Sequence, residues 1–172
     1  MSQSADTGKF LYGIFGSTCV IKAVGKITYH LGGSFDQFIS RVISDNVIND
    51  FVIDLTETEY IDSTNLGLLA RIQVFSSTML LKRPTLISSS DAINTILQNI
   101  GFDRLFTICA VAPQLPDAMQ ELSPSINTSR PLEEVLLTAH QYLRDTNMKN
   151  ALVFKDVVEL IEKDVHKKHG LN

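Results

Sequence analysis

The chain has no tryptophan, only two cysteines and only 20% charged residues among its 172. Cys19 and Cys109 sit in the apolar contexts "STCVIKAV" and "FTICAVA", without the C-x-x-C spacing of redox or zinc sites. They read as buried, reduced thiols. Lys and Arg never gather into a run and the formal net charge is −4, so there is no electrostatic footprint for nucleic acid or for an anionic membrane. A protein partner fits better. No apolar run approaches the length of a membrane span, and "MSQSADTGKF" lacks the charged and apolar regions of a signal peptide. These absences predict a cytoplasmic protein that is not inserted in a membrane.

Catalytic and cofactor chemistry is equally thin. His30, His140, His166 and His169 are not spaced with Cys or carboxylates as metal ligands, and each reads as a surface or core residue. Asp54 and Glu57 form an acidic pair, but a strand-end acid beside a turn acid reads as a loop stabiliser. Gly32-Gly33 reads as a turn rather than a phosphate loop. The expectation is a non-enzyme with no metal and no cofactor.

What is present is a strong alternation of elements. "KFLYGIF" (9–15) and "CVIKAV" (19–24) flank Gly16-Ser17-Thr18 as a hairpin. Phe35, Phe38, Ile39, Val42 and Ile43 recur at helical spacing after Ser34, a candidate N-cap. "DFVIDL" (50–55) has the unbroken apolar pattern of a strand covered on both faces, and "PTLIS" (84–88) repeats it. Between them Leu66, Leu69, Ile72, Phe75 and Met79 form a helical stripe that Leu68, Val74 and Leu80 widen. A further helix follows Ser90, with Ile93, Ile96, Leu97 and Ile100 on its apolar face and Gly101 as its stop, and "LFTICAV" is the last strand. This order predicts an α/β fold, an open mixed sheet with helices packed on it.

Composition changes near residue 112. Pro113, Pro116, Pro124 and Pro131 punctuate an irregular segment, with one short helix expected around "PDAMQEL". Two amphipathic helices follow, the first carrying Leu132, Val135, Leu136, Ala139 and Leu143, the second Val157, Leu160, Ile161 and Val165 before Gly170. "NMKN" (147–150) is expected to separate them. The predicted organisation is a flexible N-terminus (1–8), a domain (9–122), and a linker with a two-helix C-terminal extension (123–172). The extension is expected to pack back on the domain, the alternatives being a partner or a second copy. Were it to cover the face carrying Ser63, it would gate access to that residue.

The stretch "EYIDSTNLGLL" (59–69) carries the functional question. Asp62 is placed to cap the helix that starts at Ser63, and taken by themselves the residues favour this plain reading. The competing reading gives Ser63 a phosphate, which at a helix N-terminus meets the positive end of the dipole and free N–H donors. The fold would carry the modification, and its partners would feel it.

Two separated motifs decide between these readings. "FVIDLTETEYIDSTNLGLL" (51–69) resembles the signature of the STAS domain, the sulfate-transporter and anti-sigma-factor-antagonist family, and "SDAINTILQNIGFDRLF" (90–106) resembles that family's later helix and turn. The resemblance spans about residues 9–122 and implies a STAS-like open mixed sheet flanked by helices. It also implies a bacterial anti-sigma factor antagonist. In that subfamily the unphosphorylated form binds an anti-sigma factor, and a serine kinase, often the anti-sigma factor itself, phosphorylates it. A PP2C-type phosphatase reverses the step.

By this resemblance Ser63 is the phosphorylated residue and Thr64 the second candidate, with Asp62, Ser63, Thr64, Asn65, Lys26 and Thr28 forming the partner-binding surface. Asn65 stands where the family usually has Gly, a mild departure, since Asn tolerates the same backbone conformations. Gly25-Lys26-Ile27-Thr28 replaces the family's Gly-Glu-Leu-Asp, which exchanges two acids for a base and a hydroxyl and implies a changed docking surface or a different kinase. The alternative is a STAS scaffold without phosphorylation, or a subunit of a lipid-transport ABC complex.

Overall fold

The computed structural model describes residues 7–112, 117–125 and 127–170. Strands β1 (Lys9–Phe15) and β2 (Thr18–Ile27) form the expected hairpin, turned at Gly16, whose φ of 63° suits a residue without a Cβ. Beyond them run α1 (Gly32–Ser44), β3 (Asp50–Ile61), α2 (Ser63–Met79), β4 (Thr85–Ile87), α3 (Asp91–Asn99) and β5 (Thr107–Cys109). Strands β2, β3, β4 and β5 are mutually parallel, and β1 is antiparallel to β2. A short strand β6 (Gln120–Glu121) pairs antiparallel with β1 at Leu11 and Tyr12, giving the order β5-β4-β3-β2-β1-β6.

The central strands carry the core. Ile21, Ile53, Leu55 and Leu86 are buried, as parallel strands covered by helices require. Phe10 of β1 stacks on Phe35 of α1 with ring centroids 4.0 Å apart, and Phe51 of β3 meets Phe75 of α2 edge-on. Helix α3 ends at Gly101, whose φ of 79° makes the left-handed stop. None of the described helices is long and apolar enough to cross a membrane.

Three expectations need correction. The helix expected around "PDAMQEL" is absent from its described residues, because Gln120 and Glu121 gain backbone partners on the open edge of β1 instead; Pro116 lies outside the described residues. Helix α1 begins at Gly32, directly after a 3-10 turn over Tyr29–Leu31, and Ser34 is not its cap. The Ser34 hydroxyl accepts from the Ser125 N–H instead and ties the C-terminal segment to α1. Strand β3 also runs on to Ile61, well past Leu55. Of the two thiols, Cys19 is buried, which pushes its pKa up to about 12, while Cys109 is half-buried.

The C-terminal extension consists of α4 (Leu132–Arg144) and α5 (Met148–Lys168), which starts inside the stretch expected to break it because Asn147 caps it, its side chain accepting from the Asn150 N–H. Both helices pack back on the domain. Helix α4 lies along α2 and touches α1, and α5 lies against α4. Helix α2 is thus sandwiched between the sheet and α4, and Thr64 through Ala70 are all buried, a span of two turns with no solvent face.

Candidate functional site

The site is built where β3 ends and α2 begins. The Asp62 backbone is extended, and its N–H donates to the Ile27 carbonyl at the end of β2 (3.1 Å), so the α2 N-terminus is anchored to the β2–β3 edge. The Asp62 carboxylate accepts from the Asn65 backbone N–H (3.0 Å) and from the Asn65 side-chain amide (2.9 Å). This is the cap that the sequence predicted, strengthened by a second donor.

Asn65 is fully buried, with its side-chain oxygen unpartnered among the described residues. Thr64 is buried, and its methyl lies beside Gly32 of α1. Lys26 is exposed on the last turn of the β2 ladder, and Thr28 is half-buried just beyond it. Because Ile27 lies between them and receives the Asp62 N–H, both flank the start of α2. The structure therefore gathers Lys26, Thr28, Asp62, Ser63, Thr64 and Asn65 around one helix start, with Thr64 and Asn65 facing inward.

Ser63 is half-buried, and its hydroxyl lies 3.0 Å from Nε2 of His140, on α4. The other ring nitrogen, Nδ1, is 2.7 Å from the Leu136 carbonyl oxygen one turn back. A carbonyl can only accept, so Nδ1 carries the hydrogen, and in the neutral ring Nε2 is an acceptor. The Ser63 hydroxyl then donates to Nε2. His140 itself is 7% exposed, so the pair is sheltered by α4.

Sequence reasoning missed His140, reading it as an ordinary surface or core residue. A signal existed: His140 follows Leu136 by one turn on the same stripe as Val135, Ala139 and Leu143, an imidazole on an apolar helix face. Behind the pair, α4 comes close to α2 because residue 67 is Gly; a Cβ there would collide with the Ala139 carbonyl oxygen. One turn further, the Asp36 carboxylate of α1 is buried between two guanidiniums. Arg71 of α2 lies at 2.6 Å and Arg130, just before α4, at 3.3 Å. Arg130 also donates to the Thr138 hydroxyl (2.6 Å).

Asp54 and Glu57 on β3 share the Lys22 ammonium, and the Asp54 carboxylate accepts from the Thr56 N–H and hydroxyl. Both acids are thereby engaged in local structure on the strand.

Comparison with known proteins agrees with this geometry. The STAS domain family model matches residues 12–118, which places α4 and α5 outside the matched region. Among solved structures, an anti-sigma factor antagonist from Mycobacterium paratuberculosis is similar with a TM-score of 0.53 and 20% identity, over 64% of this chain and 92% of that one. The anti-sigma factor antagonist SpoIIAA in its unphosphorylated form is similar with a TM-score of 0.50 and 20% identity, over 59% of this chain and 88% of that one. At such identity the likeness is one of fold. No curated protein sequence matches the chain.

Proposed function

The chain belongs to the STAS domain family, and from that premise we propose that it is a cytoplasmic bacterial anti-sigma factor antagonist that works by partner switching. The unphosphorylated form binds and sequesters an anti-sigma factor. A serine kinase then moves the terminal phosphoryl group of a nucleoside triphosphate to the Ser63 oxygen, with loss of the hydroxyl proton and departure of the nucleoside diphosphate. The added dianion lets the anti-sigma factor go, and a PP2C-type phosphatase hydrolyses the phosphoserine to restore binding.

The observation that carries this reading is the position of Ser63 as the first residue of a 17-residue helix, directly after its Asp62 cap. A phosphate there meets unpaired N–H groups and the positive end of the dipole. The domain can bear the charge, whereas an interface centred on Ser63 would have to desolvate it.

The burial of Ser63 beside His140 favours a second reading, in which the face is permanently filled and the domain is a scaffold, or a subunit of a lipid-transport ABC complex. Pull-downs from native-host lysate with wild-type, Ser63→Ala and Ser63→Asp bait separate the two. The switch predicts an anti-sigma factor retained on Ser63→Ala and lost from Ser63→Asp. Identical transporter or scaffold subunits on all three baits would instead leave Asp62-Ser63-Thr64 as a helix cap alone.

A further inference from the structure

Helix α5 uses only one side of itself to hold the molecule together. Asn150, Val158 and Val165 face inward and are buried, while Met148 (83% exposed), Leu152 (79%) and Val153 (61%) stand in solvent along its first two turns. Because α5 lies on α4 and α4 on α2, it is the outermost layer of the fold, and no described element covers these three side chains. An apolar cluster so placed is a contact surface waiting for a cover.

The charges of α5 divide in the same way. On the side toward α4, Lys168 donates to Glu133 (2.7 Å), Nε2 of His169 lies 3.2 Å from Glu134, and the Gln141 amide donates to Glu162 (3.1 Å). On the outer side Lys149, Asp156 and Lys163 are exposed, and among the described residues none of the three has an ion-pair partner. Lys149 donates to the Asn99 carbonyl, a neutral acceptor that leaves its charge unmatched. These three residues recur every seven positions, close to two helical turns, so they form one stripe of alternating sign with Leu152 and Val153 on either side of it.

We propose that this face binds the same face of a second copy of the chain, the two α5 helices crossing antiparallel about a two-fold axis that passes between Leu152 and Val153. Lys149 of each copy then stands opposite Asp156 of the other, and Leu152 opposite Val153, so that two ion pairs and an apolar centre form at once. Other arrangements waste the pattern. Parallel helices in register would set Lys149 against Lys149, and an antiparallel crossing at Asp156 would set that carboxylate against its own copy and Lys149 against Lys163. A crossing between Asp156 and Lys163 pairs those two but leaves Leu152 and Val153 level with Lys167 and His166. An unrelated partner would have to supply the complementary stripe, whereas a second copy already carries it. The contact spans only the first few turns of α5, which places it among weak, concentration-dependent dimers.

Nothing in this proposal depends on the chemistry of Ser63, and its test uses the unmodified full chain. Sedimentation velocity from about 1 μM to about 1 mM should show monomer passing into dimer as concentration rises. Leu152→Glu, at a residue exposed in the monomer, should keep the wild-type circular dichroism and remain monomeric throughout. Lys149→Glu and Asp156→Lys should each weaken the dimer at least about ten-fold, since each sets like charges opposite one another twice about the axis. The two changes combined in one chain should restore it to within about three-fold of wild type, because every pair is then opposite again with its signs exchanged. A substitution that merely disturbed the Asn99 contact would not be rescued in this way. Monomer at every concentration overturns the proposal, as does a dimer that Leu152→Glu leaves intact. A dimer that Leu152→Glu abolishes but that the double exchange fails to restore overturns the antiparallel crossing.

Discussion

The sheet with its three helices and the two-helix extension are held together in different ways. Around the sheet, burial is continuous and apolar, with Ile21, Phe35, Ile53, Leu55, Leu69 and Phe106 at 1% exposure or less. Helix α4 shares in this through Val135, Ala139 and Leu143, but α5 buries only Asn150, Val158 and Val165 along its 21 residues. Met148, Leu152, Val153 and Leu160 of α5 are exposed. To the apolar face of α4 the extension adds directional contacts, among them Arg130 on Asp36, His140 on Ser63, and Asn147 and Asn150 on Ile100. Apolar burial spreads stability over many residues, whereas directional anchors concentrate it in a few. A domain sealed by the first kind of force can keep its fold while the second kind is switched.

The contrast is broken most severely at Phe35, which is fully buried and stacked on Phe10. Phe35→Ala removes a ring from the sheet–α1 core and should cost about 3–5 kcal/mol of global stability. Urea unfolding should show one transition at a much lower midpoint, with the extension lost together with the sheet. If α4 and α5 instead melted first while the sheet kept its wild-type midpoint, the core would not be the shared foundation described here.

Asp36 should come next. Its carboxylate, 2% exposed, is the shared partner of Arg71 and Arg130, so Asp36→Ala leaves two guanidiniums facing each other near the protein interior. The expected loss is about 3 kcal/mol, most of it from the more buried Arg71 side. Arg130 is about one-third exposed and solvent screens its share, so Arg130→Ala should cost only about 1 kcal/mol. Its signature is faster exchange at the start of α4 with the sheet untouched. Equal losses for the two variants would mean that the cluster braces only the extension.

How much of this was legible depends on whether the force involved is local. Helical and strand patterns, the Asp62 and Ser90 caps and the Gly101 stop are written in neighbouring residues, and the structure has them where expected. The widening of the α2 stripe by Leu68, Val74 and Leu80 also carried information, since a helix apolar on more than one side is covered on more than one side. Leu68 is indeed fully buried, while Val74 remains at the surface. Strand β6 was not legible, because Gln120 and Glu121 have no strand propensity and acquire their conformation from the free edge of β1. Ser34 was misread because its hydroxyl serves Ser125, 91 residues away, rather than its own helix. The Ser63–His140 pair spans 77 residues, and no local rule relates such positions.

The smallest expected effect lies at Asn147, where one side chain does both jobs under comparison. Its oxygen accepts from the Asn150 N–H (2.9 Å) and caps α5, while its amide donates to the Ile100 carbonyl (3.0 Å) and docks that cap on the end of α3. Asn147→Ala should cost about 1 kcal/mol, seen as faster exchange in the first turn of α5 alone. Asn147→Asp divides the two roles: the carboxylate still caps the helix, but it has no hydrogen to give Ile100 and places an acceptor against a carbonyl. The α5 helix should then stay formed while its contact with α3 loosens, so far-UV circular dichroism holds and the Ile100 and Gly101 amides exchange faster. Should Asn147→Asp match wild type in both measurements, the Asn147 amide is incidental to the docking, and the contact with Ile100 is carried by the Asn150 amide, 2.9 Å from the same carbonyl.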